Sequence, residues 1–235
     1  MNPGFLHAAA ALDLISKMQD AHAQNLANAN TSGYRKRISS AEAFSNALKS
    51  ASGLVLPQFR ESIDFSQGTL QSTGEALDVG IDGKGFFAIE TARGERFTRS
   101  GAFTLDEQGF LVNVDGEKVM GDRGPIQLDP GLGKPTIDDD GNVRQGTQSV
   151  GHLKIVEFQK TEDLIAENGG QFRAPEGVVP ETATNTRVRQ SHLEQSNVDV
   201  VDELVQMISG FRSFEAAQRT LVGLDRVRSQ AISNR

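Results

Sequence analysis

The chain contains no cysteine, so disulfides and thiol chemistry are excluded, and only four histidines, His7, His22, His152 and His192. The densest oxygen-donor set is Asp138-Asp139-Asp140-Gly141-Asn142. An EF-hand loop begun at Asp138 would need glycine sixth and a carboxylate twelfth, where Val143 and Ser149 stand. A polar hairpin turn is the better reading. The segment Gly80-Ile81-Asp82-Gly83-Lys84-Gly85 lacks the spacing of a phosphate-binding loop and reads as a turn between strands. The histidines lack metal-ligand spacing, and His7 and His22 fall along a helix face. The pairs Asp106-Glu107 and Asp202-Glu203 have no apolar setting to raise a pKa and read as solvated. No catalytic, metal or cofactor constellation emerges, and the chain reads as a non-enzyme.

The elements that would position these residues fall into three parts. Residues 1–58 read as an N-terminal helix and hinge, 59–190 as a central β-rich domain, and 191–235 as a C-terminal helix. From Val200 the apolar positions Val200, Leu204, Met207, Phe211, Phe214 and Leu221 alternate in steps of four and three, interrupted once by Gln218. Val201, Val205 and Ile208 widen that stripe, which implies more than one neighbour. Ser196 or Asn197 is the expected cap, with Asp199, Asp202 and Glu203 on the positive helix end. The first helix, over residues 2–28, shows the same rhythm at Phe5, Leu12, Ile15 and Leu26, with polar interruptions at Gln19 and His22. A tight turn over 28–34 ends it, followed by Arg35-Lys36-Arg37, which reads as exposed. A short amphipathic piece over 41–48 and a hinge over 50–57 come next. From Phe59 the period becomes two, with Leu77, Val79 and Ile81 alternating and glycine turns at short intervals. Residues 162–184 show one strand near Phe172 and otherwise loop. The expected fold class is α+β: terminal helices forming a coiled-coil or helical-bundle domain, with a central antiparallel, partly barrel-like β domain.

Charge narrows the partners. The formal net charge is −7, with +2 on residues 1–58, −8 on 59–190 and −1 on 191–235. An acidic middle argues against nucleic acid and anionic membranes. No stretch is apolar enough to span a bilayer, and the N-terminus lacks the early Lys or Arg of a cleaved signal.

One string is more specific than its composition. Asn25-Leu26-Ala27-Asn28 followed by Thr31-Ser32-Gly33-Tyr34 resembles the N-terminal signature of the flagellar basal-body rod and hook family. Ser196, Asn197 and Val198, leading into the Val200 stripe, resemble the same family's C-terminal signature. Residues 68–87 and 96–105 are similar to its core strands. Among its subtypes, residues 119–126 and 153–156 look most similar to the proximal rod, with the distal rod second. The resemblance implies a structural rod subunit that polymerises through its terminal helices into an axial shaft, partnered by itself and other rod subunits. It implies export by the flagellar type III apparatus and a place in the basal body, within the periplasm if the source has an outer membrane. On this reading Gly33 fixes a corner, and replacing it with Val disturbs assembly while sparing the central domain. The rival class is a secreted adhesion or binding module on a coiled-coil stalk; a cell-wall hydrolase has no paired carboxylates to rest on.

Overall fold

The computed structural model describes residues 3–43, 57–184 and 186–233. They divide into two compact units: 1–29, 36–64 and 198–235 in one, and 30–35 with 65–197 in the other.

The first unit has two long helices and a hairpin. Helix α1 is Pro3–Ala27 and helix α2 is Val200–Ser233. Pro3 opens α1 where a missing N–H costs nothing, and the alanine-rich body favours helix. Strands β1 (Arg37–Ala43) and β2 (Pro57–Ile63) pair antiparallel, with Arg37 opposite Ile63 and Ala43 opposite Pro57. The expected helical-bundle domain is therefore overturned. Two helices and a two-stranded sheet occupy its place, and residues 41–43 of the expected amphipathic piece are strand. The rest of that piece, and residues 50–56 of the expected hinge, lie outside the described residues, while Pro57 at the hinge's end begins β2.

The second unit is rich in short strands. Strand β3 (Leu70–Ser72) pairs with His192–Glu194, and β4 (Val79–Asp82) pairs with Arg187–Gln190. Strand β5 (Phe86–Thr91) lies inside a larger sheet between β6 (Gly94–Thr98) and Lys118–Gly121. Both faces of β5 are covered, which is why Phe86-Phe87-Ala88-Ile89 is continuously apolar. Phe87 and Ile89 enter the main core with Val79, Ile81, Leu111 and Leu153. Phe86 turns to an edge-to-face cluster with Phe65, Phe158 and Phe172. The partly barrel-like expectation is also corrected. That sheet runs open from Ile165–Ala166 to Thr104–Leu105, and these two-residue ends do not pair with each other. Strands so short leave too few free N–H and C=O groups to close a ladder.

A buried ionic group ties the 30–35 turn to this unit. Arg35 donates to Oε1 of Glu194 at 2.6 Å, and Arg99 donates to Oε2 at 2.9 Å. Burial pulls the Arg99 pKa down to about 10, against the pull of Glu194. Arg35 is itself buried, contrary to its exposed reading. Gly33 sits beside this group with φ +71°, its N–H donating to the Glu194 carbonyl at 2.8 Å. A β-carbon there would lie 2.3 Å from the Ser100 backbone nitrogen. Gly33 is thus packed directly against the central unit, which a change confined to assembly leaves out of account. Gly33→Ala should destabilise this unit by about 2–4 kcal/mol, from the clash together with the left-handed backbone. Tyr34 is the chain's only tyrosine and is buried nearby, so its fluorescence during urea unfolding would read the loss directly. An unchanged midpoint would contradict the account.

Candidate functional site

The helices that carry the predicted interface are positioned by polar residues. Asp199, and neither Ser196 nor Asn197, caps α2: its Oδ1 accepts from the N–H groups of Val201 at 2.9 Å and Asp202 at 3.1 Å. Asn197 instead donates to Ser66 at 3.1 Å, and Ser196 and Val198 are half-buried. The two helices run antiparallel, since Gln19 reaches Met207 while the later His22 reaches the earlier Glu203.

The face of α2 turned to this pairing is Glu203, Met207, Gly210, Phe214, Ala217 and Leu221, again in steps of four and three. It shares Met207, Phe214 and Leu221 with the stripe read from sequence, but runs along a different side. The small residues decide the phase. Gly210 leaves room for the Gln19 amide, whose nitrogen would sit 2.3 Å from a β-carbon there and which donates to the Met207 carbonyl at 2.8 Å. Val200, Leu204 and Phe211 are therefore not covered: they are 41%, 42% and 58% exposed, in line with Val205, Ile208 and Val222. At 100° per residue this apolar stripe lies about 120° round the helix from the paired face. On α1, Leu12, Ile15 and Leu26 are half-buried; Phe5 lies within the helix.

Asn25 locks α1 to the hairpin. Its amide nitrogen donates to the Arg37 carbonyl and its oxygen accepts from the Arg37 N–H, both at 2.8 Å, as a neighbouring strand would. Asn25 is fully buried, and only a side chain with both a donor and an acceptor can make this pair. Asn28 closes the helix end on the Gln24 carbonyl at 2.8 Å. Tyr34 N–H meets the Thr31 carbonyl at 3.2 Å, closing the turn that Gly33 permits.

Sequence reasoning missed the charge beneath the helices. Glu203, read as solvated, is fully buried; it meets His22 Nδ1 at 2.6 Å and Lys36 Nζ at 2.8 Å. Lys36 also meets Asp202 at 3.2 Å, so the Arg35-Lys36-Arg37 run is engaged and not a free basic patch. Burial opposes the Glu203 charge, but hydrogen bonds from Lys36, His22 and Asn25 outweigh it and hold the carboxyl below its ordinary range. The Lys36 hydrogen bond likewise lowers Asp202. The Glu203 hydrogen bond raises Lys36 against its own desolvation. The only available sign was the interruption of the α1 rhythm by His22. Elsewhere Asp138 accepts the N–H of Asn142 at 2.9 Å and of Asp140 at 3.1 Å, an Asx turn closing its hairpin.

Comparison with known proteins places the chain. Residues 80–145 match the family described as flagellar hook protein FlgE/F/G D1 domain, and residues 189–234 match the flagellar basal body rod FlgEFG protein C-terminal family. The chain is 32% identical to flagellar basal-body rod protein FlgF of Caulobacter vibrioides, over 86% of this chain and 85% of the relative. It is 32% identical to FlgF of Escherichia coli, over 86% of each. It is 30% identical to FlgG of Bacillus subtilis, over 91% of this chain and 92% of the relative.

The ionic cluster makes a pH prediction. Carboxyls with lowered pKa values stabilise the folded state above their unfolded values, and that contribution is lost as pH falls through the folded pKa. The raised Lys36 contributes below its unfolded value and is lost as pH rises through its folded one. Helix content by far-UV circular dichroism should therefore fall below about pH 4.5 and above about pH 10.5. Glu203→Gln should flatten the acid limb; an acid limb of unchanged size would assign it to other groups.

Proposed function

The chain belongs to the flagellar basal-body rod protein family, and from that premise we infer that the uncovered stripe of α2 is the surface on which rod subunits join. The protein is a structural subunit of the bacterial flagellar basal-body rod, located in the basal body, where rod proteins assemble with other components. No described helix is long and apolar enough to cross a membrane.

The observation that carries the inference is the separation of two faces on one helix. The paired face is filled by Glu203, Gly210 and Ala217 as well as by larger apolar residues, and α1 satisfies it. The stripe of Val200, Leu204, Ile208 and Phe211 stays in water. Burying a large apolar side chain from full exposure is worth about 1.5–3 kcal/mol, so covering these half-exposed residues contributes favourably to a subunit contact. Residues 189–234, the stretch matched as the rod family's C-terminal region, contain the whole stripe. A surface that meets a different surface on the next copy, without closing a ring, builds a helical shaft.

The proposal extends to three finer points. The subunit works by packing and performs no turnover. Its partners are other rod subunits, further copies of itself and the flagellar type III export apparatus; a helix pair that buries little apolar surface of its own is compatible with passage as an unfolded chain. Residues 119–126 favour the proximal-rod subtype.

Substituting Ile208→Asp and Phe211→Asp together tests the surface. Both side chains are more than half exposed, so the monomer's circular dichroism should not change. In a flagellated strain lacking its own copy, the doubly substituted protein should fail to restore swimming, and isolated basal bodies should lack it. Normal swimming would reject the stripe as an assembly surface.

A further inference from the structure

We propose that the central unit binds an oxyanion, a carboxylate or phosphate group, in a cavity walled by Arg35 and Arg99 and flanked by Lys84. The cavity measures about 490 Å³, and its apolar side is formed by Phe65, Phe86 and Phe158. Nothing in the rod reading requires such a site, and the proposal stands apart from it.

Charge and hydrogen-bond donors are both left unmatched around this cavity. Glu194 is the carboxylate shared by both arginines. Its Oε1 accepts from Arg35 at 2.6 Å and from the Gly68 N–H at 2.8 Å, and its Oε2 accepts from Arg99 at 2.9 Å. One carboxylate thus serves two guanidinium groups, before the exposed Lys84 is counted. Asp82 is a further acid acting on Arg99, but it also lies 3.8 Å from Arg189.

Arg99 has settled its donors. It bonds the Gly85 carbonyl as well as Glu194, and its guanidinium lies 5.7 Å from the Phe86 ring centroid. Arg35 has not. Its side chain is 2% exposed, and its Nε and Nη1 have no hydrogen-bond partner among the described residues. Buried donors in native proteins almost always find an acceptor, and unpartnered N–H groups on a charged guanidinium favour a charged oxygen acceptor. A slight turn of the Arg35 head toward the cavity that it lines would present those donors. The phenylalanine walls would accept the apolar stem of a carboxylate, while a free phosphate would use the cationic side alone.

The test uses the soluble full-length chain labelled with ¹⁵N, following the arginine Nε–H signals at constant ionic strength. Sodium phosphate and sodium phenylacetate are titrated separately, with sodium chloride as reference. We expect a saturable shift of the Arg35 signal and a rise in thermal midpoint. Lys84→Gln should weaken the response about two- to fivefold. Arg35→Lys keeps the charge against Glu194 but removes the fork, and should abolish the thermal shift. A stronger response to phosphate identifies a free ion as the occupant. A stronger response to phenylacetate identifies a carboxylate on an apolar stem, as on another chain's acidic side chain. If neither anion moves the Arg35 signal beyond what chloride does, the proposal is overturned.

Discussion

Two adjacent cations are each held by a buried carboxylate, and the structure following α1 depends on that pairing. Arg35 is fixed within the central unit by Glu194, and Lys36 within the helical unit by Glu203. Both acids are fully shielded from water, so a partner for each is required to offset the cost of burying it. Breaking such a pair by removing one partner costs about 3–5 kcal/mol, because the other charge remains buried. This constraint explains why the turn before it is rigidly specified. Gly33 must approach the Arg99–Ser100 backbone closely for Arg35 to reach Glu194, and Asn25 must hold Arg37 for Lys36 to reach Glu203. What looks like an amide-rich helix end is a sequence of backbone fixings on either side of two ion pairs.

The legible features were those written in local periodicity. Alternation at Leu77, Val79 and Ile81, the apolar run at Phe86, and glycine turns all announce strands, because side chains on a pleated sheet repeat every two residues. The long helices are equally plain from their apolar spacing. Pairings between distant segments were not legible. Nothing in Leu70-Gln71-Ser72 reveals that it meets His192–Glu194, more than a hundred residues later. The β1–β2 hairpin was hidden because Arg37-Ile38-Ser39-Ser40 has only one large apolar residue, too few to show a face.

Burial of charge was the other blind spot. Glu203 follows Asp202 in a first helical turn, where acids ordinarily serve the helix dipole in water. Its burial arises from His22 and Lys36, which are distant in sequence and polar. A reading by hydrophobic pattern assigns such residues to solvent by default. The same default hid part of the face paired with α1: following the most apolar line along α2 does not reveal that Glu203, Gly210 and Ala217 join Met207, Phe214 and Leu221 there.

The separation of the two faces bears on how a subunit can fold alone and still assemble. A helix that gave its most apolar line to its own partner would gain stability as a monomer but keep little to offer another subunit. Here the intramolecular face combines small residues with a buried hydrogen bond between His22 and Glu203, contacts that depend strongly on geometry. Such contacts set which residues of α1 and α2 meet and leave much of the apolar surface unspent. Leu204, Ile208 and Phe211 then stand exposed on a helix already fixed in its rotation against α1, so the proposed assembly surface is presented in one orientation. Pre-setting that orientation lowers the ordering cost at each joint.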